Sequence, residues 1–376
     1  MGSIEPLPAP TYVIWEVTLA CNLRCKHCGA SAGRRRSDEL STSEALSVCD
    51  DLKALGTGSV CLMGGEVVLR KDWLRIAARL RELGVDVGII TNGFSFSEEL
   101  VKRVLDLGLC QLGTSLDGAN ARIHDGIRGV PGAHERARAF MRRLNELPVR
   151  LKTVITSVNK NNLGELPGIR DWLLANTSGF TWMINISSCH DAIRFGREEL
   201  VEEEDYFALA AFIDENRTRH RGQLNITGTH DLGYFSREYP NLHDFRWRGC
   251  SAGIETLGIQ SHGAVKGCLA LPDEFVEGNV RERSLRDLWR DPGLFALNRA
   301  FRTDLLEGGC RGCPMGARCR AGCRDVAVSY TGSPYSYPFC LYRRERREKD
   351  KAEGELRGGD DELHGGDADL RGAEAV

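Results

Sequence analysis

Thr18-Leu-Ala-Cys21-Asn-Leu-Arg-Cys25-Lys-His-Cys28 sets three cysteines in C-x3-C-x2-C spacing directly after an apolar run, Tyr12-Val-Ile-Trp-Glu-Val17. The run reads as a β-strand, so the cysteines sit on the loop that leaves it. Thiolates are the usual ligands of iron–sulfur clusters, and three of them hold three irons of a 4Fe–4S cluster, leaving one iron open to an outside ligand. Zinc is the alternative, with His27 between two of the cysteines, but a structural zinc site closes with four ligands. Disulfides belong to oxidising compartments, and the chain shows no secretory signal.

Working outward, residues 11–195 alternate β-rich runs with amphipathic helices. Ser41-Thr-Ser-Glu44 is a capping box that opens a helix to about Ala54, with Gly56 as its stop. Strands are expected at 59–63, 85–90, 109–115, 149–158 and 180–186, with helices at 72–83, 97–107, 133–147 and near 166–174. Such alternation predicts a parallel sheet with helices outside. Six units are too few for a closed eight-stranded barrel, so the expected fold is α/β, a partial (β/α)6 TIM-like barrel. Residues 1–10 form a Pro-rich, disordered lead-in, and 196–249 read as a linker that lines the substrate site, including a helix at 198–216. A small cysteine-rich Fe–S domain is expected over 250–342, and a disordered, charged, Gly-rich tail over 343–376.

The ends of barrel strands are where such folds put their chemistry. Gly64-Gly65-Glu66 follows the second strand, Thr91-Asn92-Gly93 the third, and Ser115-Leu-Asp117-Gly118 the fourth. Each is also an ordinary strand-to-helix turn. Glycines let backbone approach a ligand, and Glu66 offers an acceptor for an ammonium group. Arg128, in Ile123-His-Asp-Gly-Ile-Arg-Gly129, reads equally as a solvated loop arginine or a site residue. His190 beside Asp191 and His230 beside Asp231 read as solvated loop pairs rather than acid–base partners.

A second cysteine set follows: Cys250, Gly263-x4-Cys268, then Cys310, Cys313, Cys319 and Cys323 in C-x2-C-x5-C-x3-C spacing, and Cys340. Seven cysteines within 91 residues exceed what core packing needs. Two zinc sites would take eight ligands, so one complete and one incomplete iron–sulfur cluster fit better. Of the other cysteines, Cys49, Cys61 and Cys110 read as small core hydrophobes. Cys189 lies at a strand end in the expected mouth.

The motif Cys21-Asn-Leu-Arg-Cys25-Lys-His-Cys28 resembles the radical S-adenosylmethionine superfamily. The resemblance implies that the open iron chelates S-adenosylmethionine, that an electron from the cluster splits the sulfonium, and that the resulting 5′-deoxyadenosyl radical takes a hydrogen atom from the substrate. It implies that His27 lies against the adenine, that Gly64, Gly65 and Glu66 hold the methionine amino group, and that Asn92, Ser115 and Asp117 face the ribose and carboxylate. Arg128 would reach the active site, with Asn159 in the same pocket. The family usually places proline where this chain has Val67.

The second set, with Gly278-Asn-Val280 and Leu285-Arg-Asp-Leu-Trp289, resembles the seven-cysteine SPASM domain of peptide-modifying radical enzymes. It implies two auxiliary clusters: one on Cys310, Cys313, Cys319 and Cys340, and one with an open iron on Cys250, Cys268 and Cys323. With the first this makes three clusters. The implied substrate is a ribosomally made peptide that gains a thioether, carbon–carbon or related bond. Sulfatase-maturing enzymes carry an Asp base beside an auxiliary-cluster cysteine, whereas Cys268 is followed by Leu269. The barrel begins close to the first residue, so no winged-helix recognition domain is expected, and a separate protein would deliver the peptide unless the enzyme contacts it directly. A flavodoxin- or ferredoxin-type electron donor is implied as well. The rival readings are a radical enzyme acting on a small molecule such as a tetrapyrrole side chain, and a non-catalytic metal-binding scaffold, for which a three-ligand site has no use.

Composition bounds the partners. With 50 basic and 53 acidic residues the formal charge is −3, so nothing points to nucleic acid. Apolar runs are too short to span a bilayer, and 14 cysteines without a signal peptide predict a cytoplasmic, metal-binding protein.

Overall fold

In a computed structural model, which describes residues 8–190, 194–232, 234–243 and 247–350, the strand before the cysteines is β1 (Tyr12–Thr18). After it come α1 (Thr42–Leu55), β2 (Ser59–Gly64), α2 (Trp73–Glu82), β3 (Asp86–Ile90), α3 (Glu98–Asp106) and β4 (Gln111–Ser115). Then follow α4 (Ala121–Arg128), α5 (Ala133–Asn145), β5 (Leu151–Val158), α6 (Leu166–Asn176) and β6 (Phe180–Ile186). The six strands pair in parallel in chain order, as the alternation predicts. Val60, Cys61 and Leu62 of β2 and Val87, Gly88 and Ile89 of β3 are buried in succession, the mark of strands covered on both faces.

Local chemistry sets the element ends. Ser41 Oγ accepts from the Glu44 N–H while the Glu44 carboxylate accepts from the Ser41 N–H (2.7 Å), and Gly56 ends α1 at φ 87°. The segment read as a loop around Arg128 is instead the helix α4. Asn120 caps it, Oδ1 accepting from the Ile123 N–H (3.1 Å), and Gly129 closes it at φ 71°. Only eight residues long, it gives the periodicity too few turns to register.

The sheet extends past both expected edges. The stretch read as a linker supplies α7 (Glu203–Arg219) and β7 (Asn225–Gly228), which pairs in parallel with β6. On the other side β8 (Thr256–Ile259) pairs in parallel with β1, followed by β9 (Ala264–Lys266) and β10 (Val276–Asn279) in antiparallel order. The antiparallel β8–β9 pair is a hairpin that turns at Gly263, φ 92°. Among the described residues ten strands therefore form one sheet, with Cys250 just before β8 and Cys268 just after β9. The remaining helices are α8 (Leu285–Arg290), α9 (Ala296–Arg299), α10 (Gly316–Cys319) and α11 (Arg324–Thr331).

The tail expected to be disordered is helical over residues 341–350. Its charges find partners on the surface: Arg347 meets Glu203 (3.1 Å), and Glu345 accepts from Ser236 Oγ (2.5 Å). The lead-in is anchored at Pro8, whose carbonyl accepts from Trp289 Nε1 (2.9 Å). Residues 1–7, 351–376 and Asp191 lie outside the described residues. No described helix is long and apolar enough to cross a membrane.

Candidate functional site

The cysteine loop is closed at its base by Glu39, a buried carboxylate that sequence reading did not single out. It accepts from Thr18 Oγ1 (2.9 Å), the Leu19 N–H (2.8 Å) and Arg35 Nε (2.8 Å). The loop then docks on the end of α4, where the Arg24 and Lys26 N–H groups donate to the carbonyls of Arg128 (3.0 Å) and Ile127 (2.9 Å). A Cβ at Gly129 would lie 2.4 Å from the Arg24 carbonyl oxygen, so this approach needs glycine. Arg194, equally unsignalled, straps the loop from the far side, donating to the carbonyls of Cys25 (3.0 Å), Ser31 (3.1 Å) and Ala32 (3.2 Å).

Cys25 is buried, and Cys21 and Cys28 are half-buried beside it. Burial pushes the Cys21 thiol up to about 11, and the charges of Cys25 and Cys28 add to that. Cys25 is raised for the same first reason, opposed by Arg128. Crowded thiols such as Cys21 and Cys25 that resist ionising become thiolates when a metal centre supplies the positive charge.

Gly64 and Gly65 serve this loop. A Cβ at Gly64 would lie 2.2 Å from the Thr18 carbonyl oxygen, and one at Gly65 2.3 Å from that of Ala20. The close approach they permit is therefore of the cysteine loop itself to the end of β2. Glu66 is buried, its two oxygens accepting from Thr91 Oγ1 (2.7 Å) and the Asn92 N–H (2.7 Å). Burial raises its carboxyl, and those donors oppose the rise. Asn92 Nδ2 donates to Asn22 Oδ1 (2.7 Å) and lies 3.8 Å from Cys21 Sγ. Ser115 ends β4, half-buried, paired with Ile155.

Asp117 is fully buried and works as a hub. Oδ2 meets Arg128 Nη2 at 2.6 Å and His27 Nε2 at 3.5 Å, and Oδ1 accepts from the Ser157 N–H (3.0 Å). Burial alone would raise its carboxyl; Arg128 and the two nearby imidazoles outweigh it and hold the group below the usual range. Arg128 is buried rather than solvated, with Nη1 3.7 Å from Cys25 Sγ. Burial holds His27 down to about 4, so its ring is neutral at pH 7. Several buried polar atoms here lack hydrogen-bond partners among the described residues, including His27 Nδ1, Arg128 Nε, Asn159 Nδ2 and Ser187 Oγ. Buried orphans of this kind mark places where a bound group completes the hydrogen bonding.

His124 gives this site a pH dependence. Its Nδ1 accepts from the Asp117 N–H (3.1 Å), and burial, with Arg128, pushes it down to about 3. An unfolded histidine titrates near 6.5, so below that pH the unfolded chain binds the extra proton. The contribution is complete above pH 6.5 and fades as pH falls toward about 3. Melting curves at pH 7 and pH 5 should show a larger loss for the wild type than for His124→Asn; equal losses would remove His124 from the account.

At the C-terminal end, Cys310, Cys313, Cys319 and Cys340 line one cavity of about 290 Å³. Burial pushes Cys319 up to about 12, with Cys340 adding to it. Cys323 leaves this group because Arg320, Ala321 and Gly322 all take left-handed backbone (φ 56°, 60° and 65°). Non-glycine residues rarely adopt that conformation, and here two in succession reverse the chain. Cys323 consequently shares its surroundings with Cys250 and Cys268. Burial pushes Cys268 up to about 12, followed by the charges of Asp325 and Cys250. Asp325 Oδ1 meets His190 Nε2 at 2.7 Å, joining the mouth of the barrel to α11. Among the described residues, no three His, Cys, Asp or Glu are placed to hold a single metal ion.

Cys49 and Cys61 are buried, as expected of core residues. Cys189 donates from Sγ to the Phe195 carbonyl (3.0 Å), and its backbone is clipped to Ser329 (2.7 and 3.0 Å). Asp231 is buried rather than solvated, accepting from the Ile186 N–H (2.7 Å) and from Thr229 Oγ1, while His230 is exposed.

Residues 15–173 match the Radical SAM superfamily model, and residues 250–314 match the SPASM iron–sulfur cluster-binding domain. The AdoMet-dependent heme synthase of Methanosarcina barkeri is 31% identical over 349 residues, covering 89% of this chain and 97% of that protein. Mycofactocin maturase MftC of Mycolicibacterium smegmatis is 27% identical over 365 residues, covering 90% and 86%. In fold the chain is similar to Streptococcus suis SuiB solved with precursor peptide SuiA, at TM-score 0.71 and 20% identity, covering 89% of this chain and 76% of SuiB.

Proposed function

This chain belongs to the radical SAM superfamily and carries the SPASM iron–sulfur cluster-binding domain, and we propose that it forms a thioether, carbon–carbon or related bond in a ribosomally made peptide. When bound, the first cluster and S-adenosylmethionine supply a 5′-deoxyadenosyl radical that takes a hydrogen atom from the substrate. Cys21, Cys25 and Cys28 hold that cluster, and Arg128 offsets the charge on the Cys25 thiolate. Glu66 keeps acceptor capacity beyond its three hydrogen bonds for the methionine ammonium, at the strand end that Gly64 and Gly65 bring against the loop. Asn92 and Ser115 flank the cofactor. The orphaned Nδ1 of His27 and Nδ2 of Asn159 fit a bound group there, and Asp117 acts through Arg128 and His27. Cys310, Cys313, Cys319 and Cys340 hold one auxiliary cluster, and Cys250, Cys268 and Cys323 the other. A flavodoxin- or ferredoxin-type protein delivers the electron.

The observation that favours a peptide is what the two arginines packed against the cysteine loop, Arg128 and Arg194, already do. A tetrapyrrole with several carboxylates calls for free cations, yet Arg128 is engaged by Asp117 and Arg194 by backbone carbonyls. The similarity to a mycofactocin maturase points the same way. A second reading, an iron tetrapyrrole, is favoured by 31% identity across 97% of a heme synthase.

Anaerobic reconstitution, with S-adenosylmethionine and dithionite, tests both. About twelve irons per chain, three 4Fe–4S clusters, and formation of 5′-deoxyadenosine are expected. Synthetic peptides encoded beside the gene and Fe-coproporphyrin III are then compared by mass spectrometry. Loss of two hydrogens from a peptide supports the proposal. Loss of carbon dioxide from the porphyrin moves it to the second reading. Zinc in place of iron, with S-adenosylmethionine intact, overturns both.

A further inference from the structure

Two arginines stand beside the three-cysteine group with hydrogen-bond donors left over. Arg324 is 0% exposed and directly follows Cys323. Its Nε donates to Asn298 Oδ1 (3.0 Å), its Nη1 to the Pro334 carbonyl, and its guanidinium lies 4.9 Å from the Tyr335 ring and 5.3 Å from that of Phe301. Nη2 is buried and has no partner among the described residues. Arg320 repeats the pattern: its Nε is buried with no partner among the described residues, and its guanidinium lies 5.6 Å from the same Phe301 ring. Its side chain rests on Gly249, where a Cβ would come within 2.7 Å of Arg320 Cδ, next to Cys250.

A buried guanidinium with an unused N–H is costly unless an anion completes it. The opposite charges that act most on Arg324 are those of Cys250, Tyr335 and Cys323, with Arg320 acting against it. Arg324 also acts on Cys310 of the four-cysteine group. A thiolate-bound iron–sulfur cluster is an anion whose sulfurs accept hydrogen bonds, and both net charge and such bonds set its potential.

We propose that Arg324 Nη2 donates to a sulfur of the auxiliary cluster on Cys250, Cys268 and Cys323, and that Arg324 and Arg320 together raise that cluster's reduction potential. Each is a positioning residue that acts through the cluster rather than on substrate. The four-cysteine cluster feels Arg324 as well, more weakly and in the same direction. This rests on the proposed assignment of seven cysteines to two auxiliary clusters.

The test is an EPR-monitored redox titration of the full chain, reconstituted anaerobically with iron and sulfide. Alanines at Cys21, Cys25 and Cys28 remove the first cluster's signal from every sample. At the midpoint of the unmodified cluster, Arg324→Met should lower the reduced-to-oxidised ratio at least about tenfold, a shift of about 59 mV for a one-electron couple. Arg324→Lys keeps the charge and should recover most of that shift. The exposed Arg318→Met should leave it unchanged. If Arg324→Met does not assemble the cluster, Arg320→Met decides, with a smaller shift of the same sign expected. Two assembled clusters with unmoved potentials overturn the inference and leave the cluster assignment standing. Iron, sulfide and spin counts for one auxiliary cluster only overturn the assignment itself.

Discussion

Under the proposed cluster assignment, Cys25→Ala should abolish reductive cleavage of S-adenosylmethionine while leaving the auxiliary irons in place. The first cluster is offered only three thiols, so no spare ligand exists to replace one. Cys25 is also the most enclosed of the three, at 8% exposure, and the best supported. Its carbonyl is strapped by Arg194 and its sulfur faces Arg128. Without its thiolate the cluster loses the corner that the fold has built most firmly. Production of 5′-deoxyadenosine should fall to the uncatalysed background, a loss of at least about 10⁶-fold on the scale of enzymic accelerations. Iron content should drop by about four per chain, one cluster's worth. Cys49→Ala, which removes a buried thiol of α1, should leave both quantities unchanged. Wild-type amounts of deoxyadenosine from Cys25→Ala would refute the assignment of the cysteine loop.

Asp117→Ala should be the most destabilising single change in the barrel. The carboxylate is fully buried and is the direct counter-charge of buried Arg128. Removing one partner of a buried ion pair leaves the other uncompensated and costs about 3–5 kcal/mol. The Ser157 N–H would also lose its acceptor. Denaturant unfolding should show this as a lower midpoint with little change in slope. Pairing Asp117→Asn with Arg128→Met removes both charges, so it should recover a large part of the loss. Recovery that fails to appear would show that the charge pair is not what stabilises this corner. Arg128→Lys should not substitute, since one ammonium cannot span Asp117 and Cys25 as the guanidinium fork does.

What could be read without coordinates was local. Helix α1 was legible because its capping box and terminal glycine lie within the helix and its flanks. The three-cysteine loop stood out through its spacing, and seven cysteines within 91 residues marked a second cysteine-rich region, while their division into four and three came only from the family resemblance. Helix α4 was not, being eight residues long, although its Asn120 cap and Gly129 stop are visible in retrospect. The placement of β8 beside β1 carries no local signal, since Tyr12 meets Thr256 across most of the chain. Glu39 and Arg194 sit in polar loops where nothing distinguishes them from solvated residues. The left-handed run that turns Cys323 away from Cys319 shows only Gly322 in its sequence; Arg320 and Ala321 are held there by the surrounding structure.

The β1–β8 pairing also has a cost during synthesis. The partner of Tyr12 emerges from the ribosome 244 residues later, which at ordinary elongation rates takes roughly ten to fifty seconds. Throughout that interval the outer edge of β1 presents unpaired N–H and C=O groups, a template for pairing with other nascent chains. The cysteine loop hangs from the same strand. The exposure of that edge until the C-terminal hairpin docks follows from the order of strands in one sheet.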